Sequence, residues 1–249
     1  MNPKLRILIV DDDRRMTHTL SDILTLQGYT VSEAWSGPEA LEKVKAEFFD
    51  CVLTDVRMPG MNGVELHKEL QKLRPDLLVV LMTAYASENL LQQGLAQGVV
   101  GMLEKPLDFN ILLDFFAMLS KTHTVAIVDD DPAFCQTIAD ILEMRGYRVV
   151  VTTDPHENID QMVDNAQVLL LDMKLNSING LDIMKKVRQN YPTLPVLLIT
   201  GYRDEMATLI QGAEAIHAYA SLYKPLAIPE FLKTLANIEI EKYKRLLHS

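Results

Sequence analysis

The sequence predicts an α/β protein built as two similar domains, each a parallel sheet flanked by helices. The first reason is that the chain repeats itself after about 118 residues. Ile7-Leu8-Ile9-Val10-Asp11-Asp12-Asp13 returns as Val125-Ala126-Ile127-Val128-Asp129-Asp130-Asp131, and Val52-Leu53-Thr54-Asp55 returns as Leu169-Leu170-Leu171-Asp172. Each of these aspartates stands eight residues before the glycine of an Asn-Gly pair, Gly63 or Gly180. The period is too long for a solenoid unit and fits a domain that folds by itself. The second reason is that short apolar runs alternate with amphipathic stretches within each half, the pattern of repeated strand-helix units.

Taken in order, the first half offers strands at about 6–10, 30–34, 51–54, 78–83 and 99–103. The third to fifth are continuous apolar runs, as expected when both faces of a sheet are covered. Asp13 and Asp131 stand where helix N-caps belong, Pro38 and Pro132 suit first-turn positions, and Gly28 and Gly146 fall where C-terminal caps are expected. The second half repeats the scheme, with its second helix expected around 156–164, where Pro155 and scattered polar residues leave little apolar periodicity. Only Lys121-Thr122-His123-Thr124 separates the halves, too short to act as a flexible tether. The expected domains are 1–121 and 122–237, followed by a helical extension over 238–249.

Composition narrows the function. A chain of 249 residues, 48% hydrophobic and 23% charged, is globular and has room for one large or two small cores. No apolar run approaches the roughly 20 residues of a spanning helix, and the first short run passes straight into three aspartates, which argues against a signal peptide. The two cysteines, Cys51 and Cys135, stand at unrelated positions and read as small core residues of a reducing compartment, so a cytoplasmic location is expected. A net charge of −10 disfavours nonspecific attraction to nucleic-acid phosphates.

The repeated polar residues carry the chemistry. Parallel sheets place their sites beyond the carboxyl ends of the strands, where Asp11 and Asp12 follow strand one, Asp55 strand three, Thr83 strand four and Lys105 strand five. Taken singly, each is an ordinary cap or turn residue. Their joint spacing is not ordinary: Asp55 to Thr83 and Asp172 to Thr200 are both 28 residues, and Lys105 and Lys224 follow the threonines by 22 and 24. Converging carboxylates repel one another unless a cation neutralises them, and an all-oxygen set suits a hard divalent ion such as Mg²⁺. Asp55 can then attack a phosphoryl group, Lys105 neutralise a phosphoryl oxygen and Thr83 donate a hydrogen bond. Asp129, Asp130, Asp172, Thr200 and Lys224 repeat the set.

With the acidic pair, the aspartate, the threonine and the Lys-Pro in place in both halves, and Met58-Pro59 after the aspartate of the first, both halves resemble response-regulator receiver domains over about 230 residues. The resemblance implies two flavodoxin-like domains, each with a five-stranded parallel sheet of order 2-1-3-4-5, and transfer from a phosphohistidine on a sensor histidine kinase or histidine phosphotransfer protein. It implies that Asp12, Asp55 and the Arg57 carbonyl bind Mg²⁺, with Asp11 assisting through water. In the second domain these roles fall to Asp130, Asp172, the Lys174 carbonyl and Asp129. Thr83, Lys105, Thr200 and Lys224 would sense the phosphoryl group.

The departures matter too. Met102 and Ser221 stand where the family often has an aromatic switch residue, and Leu175-Asn176 replaces Met58-Pro59. Loss of that proline leaves the second turn less stiff, which predicts weaker Mg²⁺ binding there. One helix after Pro225 leaves no room for a DNA-binding domain, so output through a downstream protein target is expected, with the amphipathic C-terminal stretch an extension of that helix or a homodimer contact. The chemistry is then self-phosphorylation and self-dephosphorylation, not turnover of a substrate. Two other readings are a receiver region of a larger hybrid kinase or output protein, and a chain with one domain a scaffold that is never phosphorylated. A haloacid-dehalogenase-type hydrolase would need an aspartate where Arg57 and Lys174 stand.

Overall fold

The computed structural model describes residues 5–84, 94, 98–121, 123–154, 156, 159–175, 179–201 and 217–247. Its contacts divide the chain into two units: residues 1–121 with 239–249, and residues 122–238.

Unit 1 runs β1 (Arg6–Val10), α1 (Arg14–Leu26), β2 (Thr30–Ala34), α2 (Gly37–Ala46), β3 (Cys51–Asp55), α3 (Gly63–Leu73), β4 (Leu78–Thr83), β5 (Gly101–Glu104) and α4 (Phe109–Leu119). Unit 2 runs β6 (Thr124–Val128), α5 (Pro132–Glu143), β7 (Arg148–Thr152), α6 (Ile159–Val163), β8 (Val168–Asp172), α7 (Gly180–Asn190), β9 (Val196–Thr200) and β10 (Ala220–Tyr223), then α8 (Ile228–Leu247). The repeated strand-helix scheme also places a helix between β4 and β5, where residues 85–93 and 95–97 lie outside the described residues.

Both sheets are parallel throughout, ordered β2-β1-β3-β4-β5 and β7-β6-β8-β9-β10, the order expected for each. The middle strands are buried on both faces: Ile7, Leu8, Ile9 and Val10 in β1 and Leu169, Leu170 and Leu171 in β8 are fully inaccessible. Removing two faces from water is the main favourable term for such a strand, which explains why these runs are apolar without alternation. Each unit has a core layer on either side of its sheet.

The helix starts follow from local chemistry. The Asp13 carboxylate accepts the N–H groups of Arg15 and Met16, and Asp131 does the same for Ala133 and Phe134, satisfying first-turn donors. Gly28 and Gly146, just past α1 and α5, have φ of 95° and 85°, a left-handed conformation that favours glycine. Some edges differ from expectation. β5 begins at Gly101, and the Val100 N–H before it bonds the Val79 carbonyl of β4. Of the helix expected around 156–164, Ile159–Val163 is seen among the described residues, with Ile159 and Val163 buried, while 157–158 lie outside them.

The stretch after Ile238 continues α8 without a break and belongs to unit 1. Tyr243 and Leu247 are buried in the unit 1 core, with Tyr243 edge-on to Phe115 at 5.6 Å between ring centroids.

Candidate functional sites

Parallel register brings the polar ends of the strands together. In unit 1, Val10 pairs with Thr54, Asp55 with Met82 and Thr83 with Glu104, so the residues after β1, at the end of β3 and after β5 share one rim. Asp11 and Asp55 are 2% and 7% exposed. Asp11 Oδ1 accepts the Asp13 N–H at 2.9 Å, and Asp55 Oδ2 accepts the Arg57 N–H at 2.6 Å. Their other oxygens meet one ammonium: Lys105 Nζ lies 2.6 Å from Asp11 Oδ2 and 2.5 Å from Asp55 Oδ1. Lys105 is tied to β4 through its own N–H, which donates to the Thr83 carbonyl at 2.7 Å. Burial pulls the Lys105 pKa down, but hydrogen bonds and the charges of Asp11 and Asp55 outweigh this and raise it overall, so the side chain stays cationic.

Unit 2 repeats the arrangement. Lys224 Nζ lies 2.7 Å from Asp129 Oδ2 and 2.8 Å from Asp172 Oδ2, and the Lys224 N–H donates to the Thr200 carbonyl at 2.8 Å. The N–H groups of Asp131 and Lys174 donate to Asp129 and Asp172 at 3.0 and 2.9 Å. Burial pushes the Asp129 carboxyl up, and nearby Asp172 adds to this, against the lowering effects of Lys224 and the Asp131 N–H. Cys135, whose Sγ contacts the Asp129 carbonyl at 3.4 Å, is pushed up by burial to about 11.

The cation-binding potential differs between the units. One oxygen from each of Asp129, Asp130 and Asp172 lies within 4.8 Å of the others, the one such group found among the described residues. A single lysine ammonium against three carboxylates leaves an excess of negative charge, and hard oxygen donors fit a divalent ion such as Mg²⁺. In unit 1, Asp12 is exposed, as is Arg57. Thr83 and Thr200 are buried at the strand ends beside the lysines.

Two features escaped sequence reasoning. Gly63 and Gly180 back onto the sites: a Cβ on either would run into the carbonyl oxygen of Asp55 or Asp172, and at Gly180 it would stand 2.8 Å from the Met173 Cα. The Asn-Gly pairs show this need for a bare backbone, since Asn62 and Asn179 cap the helices and the glycine follows each. The other feature is the Phe134 ring, 4.3 Å from Lys224 Nζ.

Comparison with known proteins gives the same picture twice. The family model described as the response regulator receiver domain matches residues 7–117 and again 125–236. A response regulator receiver protein of Anaeromyxobacter sp. strain Fw109-5 is 32% identical over 207 residues, 83% of this chain and 87% of its own. The transcriptional regulatory protein ZraR of Escherichia coli K12 is 42% identical over 120 residues, 48% of this chain but 27% of its own length. Among solved structures, the chemotaxis protein CheY4 of Vibrio cholerae is 31% identical, covers 47% of this chain and 99% of its own, and has a TM-score of 0.45.

Proposed function

The chain belongs to the response regulator receiver family in both of its domains, and from that premise we propose that Asp55 and Asp172 each accept a phosphoryl group. The observation that carries this is the doubled constellation: in each unit the strand-end aspartate shares one lysine ammonium with the aspartate that follows the first strand.

The carboxylate oxygen forms the new bond to phosphorus. The bond from phosphorus to the donor imidazole nitrogen of a sensor histidine kinase or histidine phosphotransfer protein breaks, and its electron pair stays on that nitrogen. Mg²⁺, held by Asp11, Asp12, Asp55 and the Arg57 carbonyl, or by Asp129, Asp130, Asp172 and the Lys174 carbonyl, would supply charge neutralisation at the phosphoryl oxygens. Lys105 and Lys224 then trade a carboxylate for a phosphoryl oxygen, which draws β5 or β10 toward the modified aspartate. Thr83 and Thr200 follow with a hydroxyl hydrogen bond. Output passes to a downstream protein in the cytoplasm, with loss of the phosphoryl group to water as the only other reaction.

Borohydride reduces an acyl phosphate to the alcohol, so phosphoaspartate becomes homoserine. After treatment with acetyl phosphate and Mg²⁺, peptide sequencing should find homoserine at positions 55 and 172. Homoserine at other aspartates only, or at none, refutes the assignment.

A further inference from the structure

In unit 2 one side chain outside the acidic set also touches the lysine. Phe134 lies in the first turn of α5, its N–H held by the Asp131 cap at 3.1 Å, while the Asp131 N–H is held by Asp129. The same short segment thus fixes the acidic residue and the ring. The ring is partly buried against the unit 2 core, which includes Ile138 and Phe231, and its face meets Lys224 Nζ at 4.3 Å. That separation is well inside the roughly 6 Å limit for attraction between an ammonium and a ring face. Counting from the matching caps Asp13 and Asp131, unit 1 has Met16 at this place, a side chain with no ring face.

We infer that Phe134 is a positioning residue for Lys224, holding the ammonium over Asp129 and Asp172. This rests on the reading of Asp172 as a phosphoacceptor. Lys224 has a four-carbon stem and is 23% exposed in its side chain, so two oxygens alone leave it rotamer freedom. The ring limits that freedom and holds the ammonium where an entering phosphoryl oxygen arrives. Domain two therefore captures phosphoryl groups with a lysine set in advance by an aromatic contact. Trp strengthens such a contact and Met removes it.

The test uses the full chain carrying Asp55→Asn, so that only Asp172 is available, with Phe134 kept or changed to Met or Trp. Ring currents should shift the NMR signals of the Lys224 ε-methylene upfield when Phe134 or Trp is present, and Met should abolish the shift. With saturating Mg²⁺, acetyl phosphate labelling should slow roughly two- to fivefold with Met, the worth of such a contact, and recover with Trp. An unshifted Lys224 in the Phe134 chain overturns the inference. So does full-rate labelling with Met, or a Trp chain as slow as the Met chain, which would reveal packing alone. A ring-shifted Lys224 in a Phe134 chain that takes no label at all overturns the reading of Asp172 and the positioning role together.

Discussion

Leu247 and Gly101 can be tested as a coupled pair in unit 1. Leu247 is 4% exposed, and a Cβ added to Gly101 would stand 2.7 Å from the Leu247 Cβ and 3.1 Å from its Cγ. Gly101→Ala alone overpacks this contact and should cost about 1–2 kcal/mol. Leu247→Ala alone removes buried methyl groups, and because the site lies in the last helical turn, where the chain can relax, the cost should sit near the low end of the usual range, about 2–3 kcal/mol. In the double variant the new methyl enters the space that leucine vacates. The two losses should therefore fall short of their sum by at least about 1 kcal/mol, beyond the 0.3–0.5 kcal/mol scatter of independent sites. Trp35 is the only tryptophan and lies in unit 1, so its fluorescence during urea unfolding reports that unit alone. With a slope of about 2 kcal/mol per molar urea, the coupling appears as a midpoint about 0.5 M higher than additivity gives. Strict additivity would show that Leu247 does not pack on Gly101.

Gly63→Ala forces a methyl into the Asp55 carbonyl and should cost unit 1 at least about 2 kcal/mol by the same fluorescence assay, an unchanged midpoint being the contrary result. Lys105→Met leaves Asp11 and Asp55 without their shared cation, destabilising unit 1 by about 1–2 kcal/mol without Mg²⁺ after discounting for partial exposure. Added Mg²⁺ should stabilise that variant more than the natural chain, and equal gains would contradict the shared-cation account. The turn argument predicts Mg²⁺ binding up to about tenfold weaker with Asp172 than with Asp55, from ordering a turn without proline. Mg²⁺ titrations of full chains carrying Asp55→Asn or Asp172→Asn check this, and equal or tighter binding at Asp172, in line with the closer carboxylates there, would refute it.

The strands and the acidic rim were legible because they depend on local features: apolar runs of strand length, and polar residues where each run stops. Asp13 and Asp131 as caps, and Gly28 and Gly146 beyond the helix ends, were legible for the same reason. What packs against what was not. The amphipathic stretch after Ile238 announces an apolar face, yet nothing local says that Tyr243 and Leu247 enter the core of unit 1, or that Gly101 is bare because Leu247 lies on it. Phe134 reads as an ordinary core aromatic until β10 delivers Lys224 to its face. The exposure of Asp12 beside buried Asp11 depends on how the turn into α1 is held, through the Asp13 N–H on Asp11, and spacing alone gives both aspartates equal claim.

Intact mass after acetyl phosphate treatment, with Mg²⁺ or with a chelator, tests the central claim most directly. The natural chain should gain up to two phosphoryl groups only with Mg²⁺, Asp55→Asn and Asp172→Asn one each, and the double variant none, because an amide is not a competent nucleophile. Label that persists in the double variant, or no label on the natural chain with Mg²⁺ present, would contradict the account of two phosphoacceptor sites.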